Sequence, residues 1–179
     1  ALMAAYTGLE PLVAPAHPLW GAIVGRLGSL GAGGMALRLN LFSALCGALA
    51  AGLFHLLVSR LVHTAIDPAD DTAENAVRAS VLAGLVAAAA LAFSVPFWMA
   101  STRLHHQSFD LLLLLLVTHL FLAYARTRRE WLGLLFALCY GIGIVESPVF
   151  IPFAPLFILY AFVIWHRHDD IRLRRILLM

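Results

Sequence analysis

The sequence predicts an all-α fold, a polytopic transmembrane helix bundle of about five spans with a short juxtamembrane helix on the outer surface. Three observations predict it. Of the 179 residues, 62% are hydrophobic and only 12% charged, where an average soluble domain carries about 25% charged residues. Apolar runs near the length of about 20 residues that crosses a hydrocarbon core recur between short polar loops. The twelve basic residues, all Arg, divide unevenly between alternate loops, as the positive-inside bias requires. A net charge of +2 gives no argument for a nucleic-acid partner. The lipid bilayer is the expected environment.

In order along the chain, an Ala- and Pro-rich segment over 1–17 leads into the short apolar element 18–30, too short to span, with Arg26 in its midst. The turn "GAGG" separates it from "MALRLNLFSALCGALAAGLFHLLVSRLV", 35–62, a helical run of about 40 Å at 1.5 Å per residue. The loop "HTAIDPADDTAEN" holds Pro68 and four acids, with Asn or Thr available as a helix cap. A second, Ala-rich span is expected from about Ala76 to Phe97, closed by Pro96. The polar junction "MASTRLHHQS" precedes a third span, Phe109 to Tyr124, and the basic loop "ARTRRE" follows it. A fourth run, Trp131 to Val145, breaks at "ESP", and a fifth, Val149 to Trp165, ends in "HRHDDIRLRR". One domain is expected: an outer loop and juxtamembrane helix over 1–35, and the bundle over 36–179. With no initiator Met and an apolar run starting at the end, the chain reads as a fragment of a longer one.

Arg60, Arg78, Arg126, Arg128, Arg129, Arg167, Arg172, Arg174 and Arg175 fall on one side, and Arg26, Arg38 and Arg103 on the other. The first set should face the cytoplasm. Glu10, His17, Arg26, Arg38, Asn40, Arg103, His105, His106, Asp110 and Glu146, from four separated stretches, then share the outer face. Ionisable groups at a membrane are costly and tend to face a cavity or a partner. In "RLHHQSFD", helical spacing puts Arg103, His106 and Asp110 on one face. In "RLN", Arg38 suits bidentate phosphate binding beside a helix start whose free amides also favour an anion. Glu146 stands where Pro148 ends helical hydrogen bonding, and freed backbone in a membrane needs cover from protein or water.

Each of these groups also has a plainer reading, as headgroup-level caps or snorkelling side chains. A zinc site from His17, His105 and His106 meets the objection that adjacent histidines diverge on a helix, and no HExxH spacing exists. No cofactor is therefore expected, a divalent metal being the minor alternative. His55 and His119 read as interhelical hydrogen-bonding groups. Cys46 and Cys139, lone within apolar runs, read as packing residues. Gly21, Gly25 and the row Ala44, Gly47, Ala51 read as faces for close helix contact.

The order "AAYTGLEPLVAPAHPLWGAIVGRLGSLGAGGMALRLNLFSALCGALAAGLFHLLVSRL", "FSVPFWMASTRLHHQSFDLLLLLL" and "LGLLFALCYGIGIVESPVFIPFAPLFIL" resembles the N-terminal half of prokaryotic GT-C superfamily glycosyltransferases. Within these it is most similar to the protein O-mannosyltransferase-like branch, through the "AHP" segment, the "RLNLFSAL" helix start and the "PFW" that ends a span. The resemblance implies a polyprenyl-phosphate sugar donor and transfer to an acceptor on the outer, periplasmic face of a bacterial inner membrane. It implies an acidic general base in the first outer loop and basic residues on the donor phosphate, since a hydroxyl needs a base and the departing phosphate needs its charge matched. The family's acidic pair lies just before "AAYT", upstream of Ala1, so Glu10 stands in only by position. Arg38 and Arg103 are the expected phosphate ligands, and His17, Asn40, His105, His106, Asp110 and Glu146 the expected cavity lining. The chain has "HPLW" where members commonly show "HPPGYP", and His105 and Asp110 where they show Glu and Asn. Residues 18–30 would be the amphipathic helix along the outer surface, its Leu, Ile and Val in the interface. Two other classes fit the same residues: a non-catalytic scaffold bound to other membrane chains, and a transporter, for which broken helices are also suited.

Overall fold

The computed structural model describes residues 17–29, 34–66 and 73–167, with side chains described as far as 162. Glu10, the loop over 67–72 and the terminal Arg172, Arg174 and Arg175 lie outside the described residues. Among the described residues every regular element is helical: α1 (Pro18–Ser29), α2 (Met35–Ala65), α3 (Ala73–Ala92), α4 (Val95–Thr102), α5 (Gln107–Thr127), α6 (Glu130–Glu146), a 3-10 segment (Pro148–Phe153) and α7 (Ala154–Arg167). Helices α2, α3 and α5 are long and apolar enough to cross a membrane. That length and composition make the chain an integral membrane protein.

Helix α2 is the centre of the bundle and packs against α1, α3, α4 and α5. Small residues set its approach to its neighbours. A Cβ on Gly84 of α3 would lie 2.7 Å from His55 Nδ1 and 2.8 Å from the His55 carbonyl oxygen. One on Gly47 of α2 would collide with the Ser101 side chain of α4. The expected contact role of Gly47 is therefore present, whereas a Cβ on Gly25 would meet nothing within 4 Å.

The single span expected from Ala76 to Phe97 is instead two helices. The chain turns at Phe93 and Ser94, where the Ser94 amide donates to the Leu91 carbonyl at 3.0 Å and its Oγ to the same oxygen at 2.7 Å. Pro96 cannot donate a hydrogen bond to the preceding turn, so it fits only in the first turn of a new helix, and α4 begins there. Helix α4 ends at Thr102, and Arg103 is extended (φ −117°, ψ 157°). The break at "ESP" is present. Helix α6 stops at Glu146, Ser147 is extended, and Pro148 opens the 3-10 segment. That segment folds back on α6. Phe150 is fully buried beside Gly143, whose hydrogen leaves room that a Cβ would fill, and the Tyr140 hydroxyl donates to the Phe150 carbonyl at 2.9 Å.

Helix α1 lies against protein. Trp20, Val24 and Leu39 form a buried cluster with Leu27, Met35, Phe42, Leu104 and Phe109 around them. The apolar stripe expected to sit in the lipid interface is thus turned largely onto α2 and the start of α5, while Arg26 stays exposed. The reason is local: Arg38 Nη2 donates to the Gly28 carbonyl at 3.3 Å and Glu146 holds the other end of α1. His119 bonds within its own helix, Nδ1 to the Leu115 carbonyl at 2.9 Å, so the expected interhelical bond gives way to an intrahelical one.

Candidate functional site

The start of α1, the end of α4, the start of α5 and the break after α6 meet at one end of the bundle. A helix N-terminus exposes amides with no intrahelical acceptor and carries partial positive charge. In α1 the first residue is Pro18, which has no N–H, so the first two amides available are those of Leu19 and Trp20. Both are taken by one side chain 127 and 126 residues away. Glu146 Oε2 accepts from Leu19 N at 2.6 Å, and Oε1 accepts from Trp20 N at 2.9 Å. Glu146 is 0% exposed, and its two oxygens serve as the cap that no local Ser, Thr or Asp supplies.

That cap fixes His17, the residue immediately before α1. Its ring stacks on His106 at a centroid distance of 3.8 Å, and His106 in turn lies 4.4 Å from the His105 ring and meets Trp20 edge-on at 6.3 Å. His106 is the N-cap of α5, and its carbonyl accepts from Asp110 N at 2.9 Å. The i, i+4 relation between His106 and Asp110 is therefore present. Arg103 precedes the helix in extended backbone and is exposed, so it does not share their face. Asp110 is 8% exposed. His17 Nδ1 lies 3.9 Å from Asp110 Oδ2, beyond hydrogen-bond distance. Both His17 Nδ1 and Asp110 Oδ1 are buried without a hydrogen-bond partner among the described residues. Burial pushes the His106 imidazole down to about 4, with His17 and His105 acting in the same direction, so the ring is neutral near pH 7.

These groups line a cavity of about 300 Å³ together with Gln107, Leu111, Leu114, Ser147, Pro148 and Val149. On the other side of the α1 terminus lies an apolar groove of about 430 Å³ between Pro18, Leu19 and the α6 residues Ala137, Leu138, Gly141 and Ile142. Two spaces thus border the anchored start of α1, and His17, His106 and Asp110 line the first. The family model for the protein O-mannosyl-transferase TMEM260 N-terminal domain matches residues 3–171. The chain belongs to that family. Comparison with individually curated proteins and with solved structures finds no match. Membership makes this an O-mannosyltransferase-like membrane protein.

Of the residues singled out in the sequence, the structure brings together His17, His105, His106, Asp110 and Glu146. Arg38 stands at the far end of α1, against Gly28, and Asn40 and Arg103 are exposed. Two participants were missed. Ser147, 2% exposed, lies beside Asp110, and its place in "ESP" next to a helix-stopping Pro was the available signal. The amides of Leu19 and Trp20 carry no such signal.

Proposed function

We propose that this chain forms the donor-binding half of a membrane mannosyltransferase that moves a sugar from a polyprenyl phosphate to a protein hydroxyl on the non-cytoplasmic face of a bacterial inner membrane. The observation that carries the reading is the meeting of His17, His106 and Asp110 in a cavity at the start of α1, with an apolar groove bordering the same helix terminus. A lipid-linked sugar phosphate fits this pair of spaces: the sugar's hydroxyls suit the His, Gln, Asp and Ser side chains of the cavity, and an isoprenoid chain suits the groove. Arg103, exposed in the loop before His105, is the cation that meets phosphate at the cavity mouth, while Arg38, bonded to Gly28 at the other end of α1, steadies that helix. Glu146 keeps α1 and therefore His17 in place.

In this reading the bundle has five spans, α6 and the 3-10 segment with α7 completing those of α2, α3 with α4, and α5. The Arg-rich ends of α5 and α6 face the cytoplasm. Transfer of labelled mannose from polyprenyl-phosphate mannose to protein acceptors, measured with the full-length protein in vesicles, tests the assignment. Asp110→Asn and Arg103→Ala should each lower transfer by about 100-fold, the range for losing one electrostatic or acid–base group. Wild-type transfer rates in both variants would remove these residues from the site.

A further inference from the structure

The unpartnered atoms of the cavity lie where a cation would need its ligands. We propose that His17, His106 and Asp110 form a three-ligand site for a divalent cation of the zinc class. One donor atom from each residue falls within 4.8 Å of the other two. The set is assembled from distant parts of the chain. His17 is delivered by α1, whose start is clamped by Glu146, and His106 and Asp110 by the first turn of α5. Asp110 Oδ1 and His17 Nδ1 are buried and lack hydrogen bonds among the described residues. A buried carboxylate oxygen and imidazole nitrogen left so are costly, and a shared cation removes both costs at once.

Distances and donor types agree on the class of ion. Zinc bonds of about 2.0–2.2 Å put tetrahedral ligand atoms about 3.4 Å apart. The His17 Nδ1 to Asp110 Oδ2 distance of 3.9 Å is close to that, and the donor atoms, all within 4.8 Å of one another, draw together on binding. Two imidazoles and one carboxylate favour zinc and its transition-metal neighbours over magnesium or calcium, which prefer all-oxygen shells. Three protein ligands leave a fourth position, and all three residues line the 300 Å³ cavity into which it opens. That this position takes a phosphate oxygen rests on the proposed function; the binding of the cation does not. The sequence argued against a zinc site by pairing His105 with His106. The structure replaces His105 with Asp110, one turn on, and adjacent histidines no longer need to converge.

The test uses the full-length protein in detergent or nanodiscs, stripped with a chelator and titrated with zinc against a chromophoric competitor. One zinc per chain is expected, bound at least 10-fold more weakly by His17→Gln, His106→Gln and Asp110→Asn, and unchanged in His119→Gln. Cobalt added to the unmodified protein should give the visible absorption of a low-coordinate nitrogen and oxygen site, which keeps the test independent of whether any variant folds. Equal zinc affinity in the three variants, or no cobalt band, would overturn the site. Zinc binding is read without sugar transfer, so intact binding with no transfer counts against the proposed function alone, and transfer without zinc binding against the cation site alone.

Discussion

Glu146 decides the geometry of the site without being free to act in it. Both of its oxygens are occupied by the first amides of α1, and no water reaches it. Glu146→Ala would leave the buried Trp20 amide and the part-buried Leu19 amide without acceptors. At about 1–3 kcal/mol for an orphaned buried group, and less for the part-buried Leu19 amide, the loss should be about 2–4 kcal/mol, seen as a lower melting temperature of the purified protein. Glu146→Gln keeps one acceptor and should recover part of it. Since His17 rides on the same helix start, zinc affinity should fall in Glu146→Ala and return partly in Glu146→Gln, the pattern of a positioning residue. An unchanged melting temperature in Glu146→Ala would mean that the amides find other acceptors. The sequence marked Glu146 as a carboxylate at a helix break. It could not show the partner, because backbone amides look alike in every residue except Pro.

Helices α2 and α3 are held close by the absence of a side chain at one position. A Cβ on Gly84 would meet the His55 carbonyl at 2.8 Å, and backbone cannot rotate away as a side chain can. Gly84→Ala should therefore destabilise the protein by about 1–3 kcal/mol, the range for overpacking. Gly52, also in α2, has nothing within 4 Å of such a Cβ. Gly52→Ala should be neutral or stabilising by up to about 1 kcal/mol, through helix propensity alone. Thermal unfolding of the two variants side by side checks the contrast, and equal effects would place the close approach elsewhere. At this scale the helices were legible from apolar run length, and the break at "ESP" from Pro148. The split of α3 from α4 was not. Pro96 reads equally well as the end of one helix or the first turn of the next, and the Ser94 bond to Leu91 that decides between them depends on the local fold.

Across the whole molecule, polar groups of the site collect at one end of the bundle, while Arg126, Arg128 and Arg129 mark the other end of α5. That helix has 21 residues and so spans about 31 Å at 1.5 Å per residue, the thickness of the hydrocarbon core. A helix of that length and composition is able to place its two ends in opposite compartments. The convergence of His17, Asp110 and Glu146 was legible in outline, because alternate loops of a helical bundle share a face. The depth of Asp110 and the inward turn of α1 were not, because they depend on side-chain packing around Trp20 and Val24. The proposed function requires a particular orientation, and the Arg distribution favours the α5 C-terminal end as cytoplasmic. In a variant with Cys46 and Cys139 replaced by Ala, Gln107→Cys should react with a membrane-impermeant thiol reagent in intact cells. Thr127→Cys should react only after permeabilisation. The reverse labelling pattern would put the cavity on the cytoplasmic side, where the same groups would meet a donor before it had crossed the membrane.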